Sequence, residues 1–224
     1  MAIRSTLLAE IRSTLGPAIV PNLTNADAAW DIFEAYVLSL VIQAAQSEGA
    51  SVSFLDVQGN VPSIFEFRTS PGQIFSVRRN YCYAVIQFSN LPVLEIHMGI
   101  YVSGKSKVPH ENDVVVIFQE EAEICRINQI MPRYSEVILA VECKFYSPGG
   151  LRLNLARSFM GLCQDISSEK YHFVTNTQSG SIGKLLAHHH KKWAQGIVPS
   201  GQNEVSVLKG KFQSAFKDFK ARYS

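Results

Sequence analysis

The chain has 224 residues, of which 46% are hydrophobic and 18% charged, and its formal net charge is only +2. This length and composition predict one substantial hydrophobic core, so we expect a single domain over residues 1–224. The sequence has no uninterrupted apolar run of 18 residues, and its start lacks the apolar segment and cleavage site of a signal peptide. We therefore expect a soluble, cytoplasmic protein that does not bind a membrane.

Two helices are predicted at the start of the chain. The first covers about 4–15 and ends at Gly16-Pro17. The second runs from a cap at Thr24 or Asn25 to about 48, where Gly49 ends it. An apolar stripe with helical spacing defines its buried face and consists of Trp30, Phe33, Val37, Leu40, Val41 and Ala44. Glu34 lies within this stripe, so its carboxylate needs a polar partner on the core side or reaches solvent at the stripe's edge.

The remainder of the chain changes from strands to an alternation of strands and helices. Residues 50–120 are rich in Val, Ile, Phe and Tyr and are divided by Gly, Pro, Asn and Ser, as expected of β-strands. The later segments are predicted in this order: a strand "EVILAVECKFY", a helix over 151–166, a strand "KYHFVTNT", a helix "SIGKLLAHHHKKWAQG", a strand "EVSVL" and a helix "GKFQSAFKDFKARY". This alternation predicts an α/β fold with helices on the faces of a sheet.

The cysteines and the charge distribution add two expectations. Cys82, Cys125, Cys143 and Cys163 have no CxxC or zinc-finger spacing, which favours buried free thiols in a reducing cytoplasm. From residue 184 to the end, eight lysines and arginines stand against two acidic residues. This basic segment, about 181–224, either binds an acidic polymer or forms a solvated helix face.

Charged residues occur at the ends of two very apolar strands. Asp113 opens the run Val114 to Phe118, and five apolar residues precede Glu142. Because side chains alternate across a strand, Glu142 and Lys144 share one face. If the two strands are neighbours, two carboxylates and an ammonium group converge, which suits Mg²⁺-assisted hydrolysis of a phosphodiester. The alternative is a salt bridge between Lys144 and one acid, with the other acid in solvent.

The motif "NDVVVIF" followed by "ECK" resembles the active-site signature of the PD-(D/E)XK nuclease superfamily, which has the restriction-endonuclease-like fold. The order of elements over about 25–190 is also similar. The resemblance implies an α/β domain with a central mixed sheet flanked by helices on both faces. It implies that Asp113 and Glu142 bind Mg²⁺ or Mn²⁺, that the Cys143 carbonyl adds a ligand, and that Lys144 positions the attacking water. Glu34 would correspond to the additional catalytic acid on a helix. Asn112 departs from the family's proline.

Further polar residues are candidates for contacts with nucleic acid. The set consists of Arg152, Arg157, Lys184, His188, Lys191 and Lys192. The alternative for the segment around His188 is a solvated basic helix with Trp193 in the core. His110 and Glu111 lie on a loop just before Asp113, where they contact substrate or metal or are simply solvated.

The function expected from the resemblance is a metal-dependent endonuclease, with DNA preferred over RNA and a role in restriction, phage defence or mobile elements. Regulation would come from a homodimer or higher homo-oligomer, a partner chain or a small-molecule activator. The alternative is a binding module for nucleic acid or protein that keeps the fold without catalysis. A hydrolase built on His and Cys is disfavoured because no GxSxG nucleophile motif is present.

Overall fold

The computed structural model describes residues 2–167 and 169–224. The six α-helices of this part of the chain are α1 Ala2–Leu15, α2 Ala29–Ser47, α3 Gln119–Asn128, α4 Leu153–Asp165, α5 Gly180–His188 and α6 Gln202–Tyr223. The strands are β1 Val20–Pro21, β2 Ser51–Asp56, β3 Ile64–Phe65, β4 Cys82–Gln87, β5 Leu94–Ser103, β6 Pro109–Phe118, β7 Val137–Lys144, β8 Tyr171–Thr175 and β9 Lys192–Ala194.

Seven strands form one mixed sheet in the order β2-β4-β5-β6-β7-β8-β9. Neighbours are antiparallel from β2 to β7, and β7, β8 and β9 are parallel. Parallel neighbours need a crossover connection, and α4 and α5 provide one each. The prediction of an α/β fold with a mixed central sheet is confirmed.

The sheet separates two hydrophobic cores. One face packs against α1, α2 and α6, and its buried residues include Val114, Val116, Leu139 and Val141. The other face packs against α3, α4 and α5 and includes Val115, Ile117 and Ala140. Residues 114–118 of β6 and 137–141 of β7 are apolar at every position, as expected of strands that are buried on both faces. Helices therefore cover both faces, as predicted.

Three predicted elements were wrong in detail. The predicted strand "EVSVL" is helical and belongs to α6, because Leu208 and Phe212 both pack into the first core at helical spacing. The predicted helix from 181 to 196 ends at His188, and Lys192–Ala194 is the edge strand β9. The predicted cap of α2 at Thr24 or Asn25 is also wrong. Thr24 instead forms a turn with the carboxylate of Asp27, and α2 begins at Ala29.

Two further expectations concern individual side chains. All four cysteines are buried free thiols, as predicted. The prediction that Trp30 lies in the core is wrong: it is in the first turn of α2 and is 60% exposed. Among residues 2–167 and 169–224, no helix has both the length and the apolar character that a membrane crossing requires.

Candidate active site

Asp113 and Glu142 are adjacent because β6 and β7 pair next to each other in the sheet. The antiparallel register joins Val114 to Val141, so the next position along the two strands brings Asp113 beside Glu142. Lys144 is the last residue of β7 and lies two positions further on. Strand pairing alone therefore brings these residues, which are distant in sequence, close together in space.

The Asp113 position lies at a break in the alternation of side chains. On the neighbouring strand β5, Met98 pairs with Val114 and Ile100 pairs with Asn112, which leaves Gly99 between these pairs. Gly99 has φ +63, a left-handed conformation that glycine adopts without steric cost. Met98 packs in the first core, whereas Ile100 packs in the second. Met98 and Ile100 are two residues apart but lie on opposite faces of the sheet, so the alternation of β5 side chains is interrupted at Gly99. Asp113, opposite Gly99, therefore lies at the boundary between the two cores.

Both carboxylates contact the same lysine. Lys144 Nζ lies 2.6 Å from Glu142 Oε1 and 3.8 Å from Asp113 Oδ2. The Cys143 backbone N–H donates a hydrogen bond of 2.6 Å to Asp113 Oδ2. Asp113 is only 6% exposed, so the alternative in which one acid pairs with the lysine and the other is in solvent does not describe this site.

The charges of this cluster are strongly coupled. Burial, followed by repulsion from Glu142, raises the pKa of Asp113 to about 7, although Lys144 and the Cys143 N–H act in the opposite direction. Burial lowers the pKa of Lys144, but attraction from Glu142 and Asp113 outweighs burial and raises that pKa above its ordinary value. Lys144 is therefore a permanently charged ammonium group at neutral pH. One positive charge faces two groups that repel each other when both are ionised.

Glu34 extends the cluster from α2. It is half-buried and lines a pocket of about 650 Å³ together with Cys143, Lys144 and the exposed Trp30. Burial, then repulsion from Asp113 and Asp31, raises the pKa of Glu34 to about 9. The Glu34 carboxyl is thus mainly protonated at neutral pH and can donate a proton or a hydrogen bond into this pocket.

The raised pKa of Glu34 predicts a pH-dependent effect on stability. A carboxyl with a higher pKa in the folded than in the unfolded protein binds its proton more tightly when folded, so stability falls as pH rises from the ordinary 4.5 toward 9. Glu34→Gln is expected to be more stable than the parent by roughly 1–3 kcal/mol at pH 8 and similar to it at pH 4. Urea unfolding of both proteins in EDTA at the two pH values measures this.

A matched control for this comparison is Glu123→Gln, which changes an exposed carboxylate on α3. Its stability relative to the parent should not depend on pH. A Glu34→Gln difference that stays constant between pH 4 and pH 8 would contradict the electrostatic account of the pocket.

The donor atoms of the cluster fit a hard divalent cation. Mg²⁺ is commonly held by one or two carboxylates, with water and substrate oxygens as its other ligands, and Asp113 and Glu142 supply two carboxylates. Within residues 2–167 and 169–224, no group of three or more His, Cys, Asp and Glu side chains has metal-binding geometry. A site with two carboxylates does not need a third side chain. Burial raises the pKa of the Cys143 thiol well above its ordinary value, so only its carbonyl oxygen suits Mg²⁺.

Four of the predicted nucleic-acid contacts lie on or directly before the helices that cover the second core. Arg152 directly precedes α4, Arg157 is on that helix, and Lys184 and His188 are on α5; all four are exposed. Lys191 follows α5 and is close enough to Cys163 of α4 to lower the pKa of its thiol, which burial raises to about 11. These five residues share the side of the sheet that carries α4 and α5.

Lys192 is separated from that group. It lies in β9, pairs with His172, and shares a pocket with Lys170, Asp218 and Arg222 near the end of α6. Its charge helps lower the pKa of His172, after the larger effect of burial. Lys192 therefore faces the α6 side of the sheet. It is separated from the other candidates because it lies in strand β9, where a helix was predicted.

Several polar residues near the cluster were not singled out from the sequence or were left open. Tyr171, at the start of β8, donates a 2.5 Å hydrogen bond to Asn112 Oδ1 and thereby fixes the residue next to Asp113. His110 lies 2.6 Å from the Asp165 carboxylate, a contact that directs it toward α4. Glu111 is partly exposed, and the burial of the rest of its side chain, followed by repulsion from Glu142, raises its pKa. His110 and Glu111 were already candidates from the sequence, whereas Tyr171 was missed; its possible signal is that it is a polar aromatic residue at the start of a buried strand.

Comparison of the chain with protein-family models, with curated proteins and with solved structures found no match. The functional assignment consequently depends on the geometry and chemistry of the cluster itself.

Proposed function

We propose that the protein is a metal-dependent nuclease with the restriction-endonuclease-like fold. The observation that carries this proposal is the convergence of Asp113 and Glu142, from two neighbouring central strands, on the ammonium group of Lys144. The order of these residues along the chain, Asp then Glu-x-Lys, is that of the PD-(D/E)XK signature. Two carboxyl groups and one ammonium group at the end of a central strand pair suit hydrolysis of phosphodiesters.

Each side chain of the cluster has a distinct role in the proposed reaction. Lys144 remains protonated, so it can hold the attacking water by hydrogen bonding and stabilise negative charge that develops on the phosphate. Asp113 is fixed by the Cys143 N–H, which keeps one of its oxygens in a set position. Glu34 is positioned to exchange a proton with solvent molecules in the pocket beside Lys144.

A divalent ion held by Asp113, Glu142 and the Cys143 carbonyl would polarise the phosphate and lower the pKa of a bound water. With the cation present, the repulsion that raises the pKa of Asp113 would be relieved. Mg²⁺ is the proposed ion and Mn²⁺ the alternative, because both prefer oxygen ligands.

DNA is the proposed substrate, in preference to RNA. Four exposed cations lie on or next to α4 and α5, and the half-buried Lys191 follows α5 on the same side of the sheet; the four are Arg152, Arg157, Lys184 and His188. Cations spaced over such a surface suit a phosphate backbone rather than a small anion. A role in restriction, defence or mobile elements is proposed from the family resemblance alone.

The proposal is tested by incubating the purified chain with duplex DNA, single-stranded DNA and RNA in Mg²⁺, in Mn²⁺ and in EDTA. Cleavage with either cation and none in EDTA is the expected result. Asp113→Asn should abolish cleavage, and Glu123→Gln should leave it unchanged. If no substrate is cut by the parent protein with either cation, while nucleic acid still binds, the chain is a binding module on this fold.

A further inference from the structure

A second polar pocket, of about 530 Å³, is formed by the segment 66–81 together with Asn22. Three arginines line it, namely Arg68, Arg78 and Arg79, together with Tyr81 and one carboxylate, Glu66. Glu66 accepts a hydrogen bond from Asn80 and forms no ion pair with these arginines. We call this the Arg68 pocket. Arg78 and Arg79 are exposed, whereas Arg68 is half-buried at the base of the segment.

The guanidinium group of Arg68 has a closely fitted position. It stacks on the Tyr81 ring with its central carbon 3.8 Å from the ring centre, and Nη2 donates to the Gln73 carbonyl at 3.4 Å. A Cβ on Gly72 would lie 1.8 Å from Nη1, and a Cβ on Gly99 would lie 3.3 Å from Cδ. Two glycines therefore leave the space that this side chain occupies, and ring stacking with one hydrogen bond orients the guanidinium group.

The charge of Arg68 is not neutralised within the protein. In the described part of the chain no carboxylate lies within ion-pair distance of Arg68, Arg78 or Arg79. The Nε atom of Arg68 is buried and has no hydrogen-bond partner. The nearby half-buried Arg126, by contrast, makes two hydrogen bonds to the Glu95 carboxylate. An unpaired half-buried guanidinium is unusual because removal of a charge from water is costly, so an external anion is the expected partner.

The pocket lies close to the Asp113 cluster. Gly72 donates its N–H to the Gly99 carbonyl at 3.0 Å, and Gly99 faces Asp113 across one strand pair. Two strand spacings thus separate the backbone of Gly72 from that of Asp113, a distance of roughly 10 Å. A nucleic-acid strand with one phosphate at Asp113 would carry others within reach of the arginines.

We infer that the Arg68 pocket binds a backbone phosphate of the nucleic-acid strand that reaches the Asp113 cluster. Guanidinium groups recognise phosphate oxygens with paired hydrogen bonds, and Arg68, Arg78 and Arg79 supply three such groups. This inference rests on the proposed nuclease function for its choice of ligand. A free nucleotide offers the same phosphate chemistry, and the experiment separates the two sources.

The test measures binding without cleavage. Fluorescence anisotropy of a labelled oligonucleotide in EDTA, over a range of salt concentrations, is compared for the parent, Arg68→Gln, the double variant Arg78→Gln with Arg79→Gln, and Arg12→Gln. Arg12 is an exposed cation on α1, across the sheet from α4 and α5, and serves as the charge-matched control. Each arginine lost from the pocket should weaken binding about tenfold at low salt and reduce the salt slope by about one. Arg12→Gln should change neither.

Should Arg68→Gln fail to fold, as judged by circular dichroism, the exposed double variant decides the question. Unchanged oligonucleotide binding in the pocket variants overturns the inference. Calorimetric titration with adenosine monophosphate forms the second arm, because Arg68-dependent binding of the nucleotide without an effect on the oligonucleotide would assign the pocket to a free nucleotide instead. Arginine-dependent binding in a protein that never cleaves would refute the nuclease proposal and leave the pocket standing.

Discussion

Lys144→Met is expected to reduce the rate of phosphodiester cleavage by about 100- to 1000-fold at saturating substrate, the size of effect seen when one preorganised charge-stabilising donor is removed. Lys144 Nζ contacts both Glu142 and Asp113. In the proposed reaction it would supply the positive charge beside the reacting phosphate. Methionine has a similar length without the charge. Single-turnover cleavage in Mg²⁺ measures the change, and the affinity for DNA in EDTA should fall much less.

The control for this result is Lys217→Met, which removes an exposed lysine of α6. It removes the same charge from the chain, so a loss of rate caused only by reduced net charge would appear in both variants. A Lys144→Met protein that is folded and cleaves at the parent rate would show that the lysine is a structural ion pair and not part of a catalytic site.

The second large effect concerns stability and involves a buried network away from the cluster. Glu95 is fully buried, accepts hydrogen bonds from both terminal nitrogens of Arg126, and lies 2.8 Å from His97 Nε2. Burial alone would raise the pKa of Glu95, but His97 and Arg126 outweigh burial and hold that pKa below its ordinary value. Glu95→Ala leaves these partners without their acceptor and is expected to cost about 3–5 kcal/mol of unfolding free energy.

Urea unfolding at pH 7 measures this loss, with Glu123→Ala as the exposed control, for which a change within about 0.5 kcal/mol is expected. A triple replacement by apolar residues, Glu95→Leu with His97→Phe and Arg126→Met, removes every member of the network at once. It should be markedly more stable than Glu95→Ala, because no charged group is then left unpaired. Equal destabilisation by the two proteins would show that packing, not unpaired charge, dominates at this position.

The central strands and the convergence of Asp113, Glu142 and Lys144 could be predicted from the sequence. Runs such as Val114 to Phe118 are apolar at every position, which indicates burial on both faces and a place in the middle of the sheet. Polar residues at the ends of such strands are expected where the strands leave the core, because burial of an unpaired charge is costly. The pairing of β6 with β7 then needs only that consecutive strands be neighbours, which is the common arrangement.

The details of the site depend on contacts that no local pattern contains. The left-handed conformation of Gly99 places Asp113 at the boundary of two cores, yet Gly99 is on a different strand and its φ depends on the sheet around it. The unpaired state of Arg68 is equally hidden, because it follows from the position of Gly72 and Tyr81 against that arginine.

The errors in the C-terminal part have a different physical cause. The alternating residues Val205 and Val207 favour a strand, but in α6 the burial of Leu208 and Phe212 on one helical face outweighs that preference, and Val207 is left exposed. Residues Lys192–Ala194 were predicted to be helical, but they pair with β8 as the edge strand β9. In this strand Lys192 lies on the α6 side of the sheet.

The most direct measurement is a Mn²⁺ soak of crystals of this protein, with anomalous diffraction to locate the ion. One anomalous peak is expected, bonded to carboxylate oxygens of Asp113 and Glu142, with Lys144 Nζ displaced from between them. The peak should be lost in Asp113→Asn crystals. Absence of a peak at these carboxylates in the parent protein at millimolar Mn²⁺, or a peak bound only to other residues, would contradict a metal site at Asp113 and Glu142.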